Sequence, residues 1–428
     1  MLESDGSERN LTDFVLPETG QLVETGNPWA PFQLVDGKGV IVEPVAAYFA
    51  ELQACGRPDS TIRSYGMDLL RWWRFLWAWG IPWNQATRVD ARDFVRWMQI
   101  ADKPVRVHWR HKRAGLTAET APPPRSKRLL PAGAANPITG KSSPGTKYAL
   151  NTWAHCESVV RTFYDFHLDG TGPIINPFPL VRRRREHRAH AHQNPNAPFK
   201  HERTGRYRPT VPKRAPRRIP DEMFNALFAA LKFNRDRALL AFWVSNGARA
   251  DELLTSRQRD SLPGQQLVGV TRKGTRSYQQ LPSSTDAFVW LRLYQEEAWR
   301  AGVPRGRNEM LWWTLRRPWR PLTYHAARAM FDRANDLLGS NWTLHDLRHT
   351  AAYRLAQDPL MPLTNVQWVL AHAHLTTTQI YLPAGPEEVI EQVRAHHARQ
   401  AQQREQAPPV PASGYNPDSL NNLFGTAW

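Results

Sequence analysis

Between Thr343 and Tyr381 the chain sets histidines, an arginine and a tyrosine at short, ordered spacings. His345 and Arg348 stand three apart in Thr343-Leu344-His345-Asp346-Leu347-Arg348-His349-Thr350. His372 comes 22 residues after Thr350, and Tyr381 nine residues after His372, in Leu370-Ala371-His372-Ala373-His374-Leu375-Thr376-Thr377-Thr378-Gln379-Ile380-Tyr381. On a helix, positions i and i+3 share a face, so the imidazole and the guanidinium would point at one spot. A guanidinium is a planar fork of donors that matches two phosphate oxygens. An imidazole moves a proton near neutral pH. A tyrosine hydroxyl can be a covalent nucleophile, and its ordinary pKa of roughly 10 calls for help from nearby cations. Together these groups can attack and stabilise a phosphodiester without a metal. Taken singly, His345 reads equally as a residue that caps or packs under a helix, and Tyr381 as a core tyrosine; the joint order carries the information.

Two upstream stretches have the composition to position more of the same chemistry. Asp236 to Val244 is almost wholly apolar (Ala238, Leu239, Leu240, Ala241, Phe242, Trp243) and reads as a buried helix. It delivers Ser245-Asn246-Gly247-Ala248-Arg249-Ala250-Asp251-Glu252-Leu253-Leu254, where Glu252 can hold Arg249 by an ion pair. An Arg-x-x-Glu by itself is commonplace. Next, Leu267, Val268 and Val270 precede Lys273-Gly274, and Tyr278 to Leu281 follow, which reads as a β-hairpin with glycine in its turn.

The order Arg, Lys, His-x-x-Arg, His, Tyr resembles the signature of the tyrosine recombinases, the phage integrase family. The resemblance covers about residues 43 to 400 and is strongest in the C-terminal part. It implies Arg249 as the first catalytic arginine, followed by Glu-Leu as in the family's first box. It implies Lys273 as the hairpin lysine that enters the DNA minor groove, with Arg272 and Arg276 as rivals. His345, Arg348, His372 and the nucleophile Tyr381 complete the set. One departure stands out: the family usually has glycine before the second histidine, and here Ala371 occupies that place. Alanine is small and a better helix former, so the change is expected to be tolerated.

The composition agrees with a polyanionic partner. The 428 residues carry a formal charge of +17, and the sequence pI is about 10.2, which favours nucleic acid first and an anionic membrane second. No run of about 18 apolar residues is present, so no membrane span is expected. The N-terminus lacks the basic and apolar regions of a signal peptide. With only Cys55 and Cys156, neither a disulfide framework nor a zinc–cysteine site is expected. The expected compartment is a reducing cytoplasm, in association with the nucleoid.

The expected fold is mainly α with a small antiparallel β-sheet, in two domains. Residues 1–42 read as a flexible arm with little stable structure. Residues 43–181 read as a helical domain. There Ile62, Tyr65, Leu69, Trp73 and Leu76 recur at helical spacing behind Pro58-Asp59-Ser60-Thr61, and a third helix starts between Thr87 and Asp90. The run Ser60-Thr61-Ile62-x-x-Tyr65-x-x-Asp68-Leu69 resembles the family's core-binding domain, a bundle that grips one side of the DNA. Its basic loop 101–147 interrupts the helices and reads either as a phosphate-contacting insertion or as a solvated loop. Residues 182–218 form a basic, proline-broken linker. Its clusters Arg182, Arg183, Arg184, Arg185 and Arg217, Arg218 are the candidate DNA contacts, binding with strong salt dependence. His187, His190, His192 and His201 lie in it without ordered metal-ligand spacing, and no metal is expected. Residues 219–403 read as the catalytic domain and 404–428 as an apolar-ended tail.

The resemblance implies a site-specific DNA recombinase that works through a 3′-phosphotyrosyl intermediate, without metal, ATP or other cofactor. Tyr381 attacks, Arg249 and Arg348 stabilise the transition state, Lys273 protonates the leaving oxygen, His345 accepts the tyrosine proton and His372 bonds a non-bridging oxygen. It further implies double-stranded DNA as partner, four protomers on two DNA sites and, left open, an accessory directionality factor. Two alternatives stand beside it: a type IB topoisomerase-like enzyme, and a DNA-binding relative without catalysis. The presence of all six residue types argues against the latter.

Overall fold

The computed structural model describes residues 9–104, 131–168, 170, 175–181, 204–212, 216–381 and 386–405, with 418 and 422. Arg182 to Arg185, the four linker histidines and most of the tail lie outside the described residues. The chain divides into two compact units, Met1–Lys213 and Arg214–Trp428.

The N-terminal unit is a helical bundle on a short hairpin. Strands β1 (Gln21–Glu24) and β2 (Phe32–Val35) pair antiparallel, Gln21 opposite Val35. Helices α1 (Glu43–Ala54), α2 (Asp59–Ala78), α3 (Arg88–Ile100) and α4 (Leu150–Leu168) follow. Thr87 caps α3, its hydroxyl accepting from the Val89 N–H while Asp90 accepts from the Thr87 N–H at 2.7 Å, a reciprocal cap that fixes where the helix starts. The apolar stripe of α2 packs on α4, and the core is dominated by aromatic rings: Trp72, Phe75, Phe94, Phe163, Tyr164 and Phe178 are all fully buried. The polar edges of the buried rings find partners, as buried tyrosine and tryptophan groups should: Trp72 Nε1 donates to Tyr164 Oη at 3.1 Å, and Tyr164 Oη donates to the Trp83 carbonyl at 2.7 Å. Strands β3 (Leu180–Val181) and β4 (Thr204–Gly205) form a second small antiparallel pair.

The expectation of an unstructured N-terminal arm is corrected here. Within residues 1–42, Leu11, Phe32, Leu34 and Val35 are buried, and Arg9 pairs with Asp90 at 2.5 Å and Asp93 at 3.1 Å. The hairpin lies close enough to α2 that a Cβ at Gly66 would meet the Leu22 side chain at 2.6 Å. Its strands are four residues each, too short for a period-2 pattern to stand out among glycines and prolines.

The C-terminal unit is built round one buried helix. Helices α5 (Asp221–Ala230) and α6 (Asn234–Asn246) lead to the short α7 (Ala250–Leu254). A three-stranded antiparallel sheet follows, in the order β5 (Ser261–Leu262), β6 (Leu267–Thr271), β7 (Tyr278–Pro282). The expected hairpin is β6–β7, with Val268 opposite Leu281 and Thr271 opposite Tyr278; β5 was not foreseen. Then come α8 (Thr285–Arg300), α9 (Tyr324–Leu338), α10 (Leu344–Gln357), α11 (Leu363–Leu370), α12 (Leu375–Gln379) and α13 (Pro386–Glu405). Pro386 opens α13, where its missing N–H costs nothing. Helix α6 is apolar on every side because it packs against both α8 and α10. Leu239, Leu240, Phe242 and Trp243 are at most 1% exposed, and each such side chain withdrawn from water contributes about 1.5–3 kcal/mol. That rigidity matters for what α6 carries at its end. Among the described residues no helix is long and apolar enough to cross a membrane.

Candidate active site

The first arginine is placed by the end of α6. Gly247 closes that helix with φ 62°, a left-handed conformation that suits glycine, and a Cβ there would come 2.8 Å from the Leu370 side chain. Two residues on, Arg249 precedes α7 and its Nη1 donates to Glu252 Oε1 at 2.8 Å. Glu252 is 2% exposed and holds more than Arg249. Its Oε1 also accepts from the Lys273 N–H at 3.1 Å, and its Oε2 accepts from Arg272 Nη1 at 2.9 Å. Burial alone would raise this carboxyl, but the hydrogen bonds from Arg249 and the Lys273 N–H, with the Arg272 charge, hold it below the usual carboxylate range.

The hairpin arginine and lysine separate cleanly. Arg272 is 2% exposed, with its Nε donating to Gln279 Oε1 at 2.7 Å and Nη2 to the Val369 carbonyl. It is a structural cross-link between the sheet and α11, and so no rival for a role on DNA. Lys273 is exposed in the β6–β7 turn and tied to Glu252 through its backbone. Arg276 is exposed too, with φ 55°.

Helix α10 carries three chemical groups on one face, since His345, Arg348 and His349 stand at i, i+3 and i+4. Thr343 caps it, with Asp346 accepting from the Thr343 N–H at 2.8 Å. Arg348 is 3% exposed. Its Nη1 donates to the Gly247 carbonyl at 2.6 Å and its Nη2 to the Leu370 carbonyl at 2.5 Å, so it ties α10 to the ends of α6 and α11. Among the described residues two of its five N–H groups are used there and three remain. Burial, then the charge of Arg249, brings this guanidinium down to about 10.

The second histidine and the tyrosine close the site. His372 Nδ1 lies 3.0 Å from Thr378 Oγ1, and its ring runs nearly parallel to that of Tyr381, centroids 6.4 Å apart. Tyr381 is 4% exposed and packs with Ala352, Ala356, Val366 and Leu370. Its Oη lies 2.6 Å from His349 Nδ1. The His349 ring in turn meets the His345 ring edge-on at 4.3 Å. Burial raises the Tyr381 hydroxyl, with Arg348 opposing. All three imidazoles are pushed down by burial first and by positive neighbours next: His345 below its usual value, His349 and His372 to about 4.

Two family models match this chain: the Phage integrase family over residues 217–388 and the Phage integrase, N-terminal SAM-like domain over residues 45–105. Between them they cover more than half of the 428 residues. The chain belongs to the phage integrase family. The tyrosine recombinase XerD of Vibrio vulnificus is 27% identical over 203 residues, 45% of this chain and 64% of that protein. XerD of Pseudomonas aeruginosa is 30% identical over 206 residues, 45% of this chain and 65% of its own length. The chain thus spans less than two thirds of the length of these relatives. A lambda integrase dimer bound to a COC′ core site is 14% identical, covering 79% of this chain and 76% of that one, with a TM-score of 0.49.

Within this phage integrase domain, Arg249, His345, Arg348, His372 and Tyr381 stand on elements cross-linked by Arg348 and Glu252. The exposed Lys273 is joined to them through its backbone. One departure from the family pattern gains a physical meaning. Ala371 caps α11 at φ 47°, ψ 52°, so the usual glycine there serves the left-handed backbone. Helix propensity, the ground on which alanine was expected to be tolerated, is not the property in question. The linker-end arginines are not free strands of charge. Arg217 Nη2 donates to Asp346 Oδ2 at 2.7 Å and its guanidinium lies over Trp342, while Arg218 lies 4.3 Å from the Tyr353 ring centroid. The residue that sequence reasoning left without a role is His349. Its signal was present, i+4 from His345, but its partner Tyr381 is 32 residues away and only the tertiary fold joins them.

Proposed function

We propose that this chain is a site-specific DNA recombinase of integrase type, cleaving and rejoining DNA through a 3′-phosphotyrosyl bond. The observation that carries the reading is the surroundings of Tyr381. Its hydroxyl is hydrogen-bonded to an imidazole at 2.6 Å, and Arg348, anchored by two backbone carbonyls, keeps three N–H groups for a ligand. Burial first and positive neighbours next depress the imidazoles, and an anionic phosphodiester would offset the second of these causes.

In this mechanism Tyr381 Oη attacks the scissile phosphorus and the 5′-oxygen leaves. Arg249 and Arg348 bind the non-bridging oxygens and stabilise the charge that develops on them. His372, steadied by Thr378, adds a hydrogen bond to the same oxygens. Lys273, at the tip of the hairpin, protonates the leaving 5′-oxygen. A histidine of the α10 turn accepts the tyrosine proton, the role that the resemblance gives to His345. The phosphotyrosyl bond conserves the phosphodiester's energy, so a partner strand's 5′-hydroxyl reverses the step without ATP. The proposed partner is double-stranded DNA, supported by the formal charge of +17. The proposed assembly is four protomers on two sites.

The test is a suicide-substrate assay with nicked duplexes bearing the protein's flanking DNA, in EDTA, read on a denaturing gel. A covalent protein–DNA band that disappears in Tyr381→Phe is the expected result. No band on DNA that the protein demonstrably binds would favour a non-catalytic binder.

A further inference from the structure

We propose that His349, rather than His345, takes the proton from Tyr381 as the tyrosine attacks. The inference rests on the recombinase reading above and reassigns one role within it. His349 Nδ1 is the imidazole nitrogen in hydrogen-bond contact with the reacting oxygen, at 2.6 Å. His345 meets the ring of His349 at 4.3 Å and is exposed at the rim of the site. A general base must lie within hydrogen-bond reach of the proton it removes, and His349 meets that condition before any substrate arrives.

The step balances as follows. The Tyr381 O–H bond breaks and its proton passes to Nδ1 of a neutral His349 that carries its other proton on Nε2. The Oη–P bond forms, the P–O5′ bond breaks, and the departing electron pair stays on O5′, which is protonated from the Lys273 side. In the return step the incoming 5′-hydroxyl passes its proton to the neutral Lys273 amine left by the forward step and forms the new P–O bond. Oη leaves and recovers its proton from the His349 imidazolium.

The surroundings make this base conditional on substrate. His345, Asp346 and Arg348 face His349 from its own helix, and His372 and Tyr381 face it from the α11–α12 end of the unit. Burial and the positive members of that group keep the ring neutral, so its lone pair is free, but also make it a weak proton acceptor. A phosphodiester seated on Arg249 and Arg348 cancels that repulsion and returns the ring toward its ordinary value. The base becomes effective when the phosphate is in place.

The experiment is single-turnover adduct formation on the nicked duplex across the pH range in which imidazole titrates. It compares wild type, His349→Phe, His349→Asn and His345→Gln, each checked for folding by circular dichroism and for DNA binding. A second substrate carries sulfur at the 5′-bridging position, which leaves without a proton. Both His349 variants should be slower by about 10²–10³-fold, within the range for loss of a general base, equally on the oxygen and sulfur substrates, and should lose the imidazole limb of the pH–rate profile. His345→Gln should keep that limb. His349→Asn is the decisive control, since its side-chain oxygen can hold the tyrosine hydroxyl but cannot carry the proton. Full activity in His349→Asn, a defect erased by the sulfur substrate, or an unchanged pH limb would each overturn the proposal. Absence of an adduct in wild type would overturn the recombinase reading along with it.

Discussion

Charge is buried differently among the helices of the N-terminal unit and around the candidate site of the C-terminal unit. In the N-terminal unit three buried aspartates meet a counter-charge directly. Asp90 and Asp93 take Arg9, at 2.5 and 3.1 Å, and Asp68 takes Arg71 and His155, at 2.5 and 2.6 Å. The hydrogen bond to Asp68 accordingly lifts His155 above the usual imidazole value. Around the candidate site Glu252 serves both Arg249 and Arg272, Asp346 is taken by Arg217, and among the described residues the hydrogen bonds of Arg348 go to backbone carbonyls. There His345, His349 and His372 all fall. In the first arrangement Asp68, Asp90 and Asp93 each have a cation in contact. The second gathers cations beside the imidazoles, and a phosphodiester is the anion proposed to meet them.

The comparison breaks most severely at Glu252. Glu252→Ala leaves Arg249 and Arg272 without their carboxylate, and Arg272 is fully buried. A loss of about 3–5 kcal/mol in urea unfolding is expected, the scale for stripping a buried ion pair of one partner. A loss within experimental error would mean that the site does not depend on this carboxylate. Next in size is Arg348→Lys. One ammonium cannot bridge the Gly247 and Leu370 carbonyls as the guanidinium fork does, so unfolding should cost about 1–3 kcal/mol less. Equal stability would show that the cross-link is dispensable.

Acid sharpens the contrast between the units. His349 and His372 are depressed from 6.5 to about 4. The stability they contribute is present above the ordinary value and lost as pH falls through that window, because the unfolded chain binds the protons. His155 is raised, so its contribution is complete below the ordinary value and fades as pH rises through the raised one. Comparing urea midpoints at about pH 5 and about pH 8, His372→Gln should reduce the acid sensitivity of the fold and His155→Gln should increase it. Shifts of the same sign in both variants would contradict the contrast. The smallest effect belongs to Ala371→Gly, which relieves a left-handed backbone at φ 47° and should raise stability by about 1 kcal/mol, readable as a higher melting temperature.

Much of this was legible in the sequence where local chemistry decides the structure. The apolar run of α6, the helix start at Thr87, the β6–β7 hairpin and the ordering of Arg249, Lys273, His345, Arg348, His372 and Tyr381 all show in residue types and spacing. What was not legible depends on contacts between distant segments. The hairpin at 21–35 is held by α2 and by Arg9 reaching Asp90, more than 80 residues away. Arg272 looked like a rival to Lys273 until burial against Glu252 and the Val369 carbonyl separated them. His349 was visible as a residue but not as the partner of Tyr381. Ala371 was judged by helix propensity, whereas its backbone angle decides its cost.

The most direct measurement of the central claim is the chemical identity of the trapped adduct. The covalent complex from a nicked duplex in EDTA would be digested with nuclease and protease, and the modified peptide sequenced by mass spectrometry. The account predicts a single nucleotide joined through its 3′-phosphate to Tyr381. A nucleotide on any other side chain, or joined through its 5′-phosphate, would contradict it.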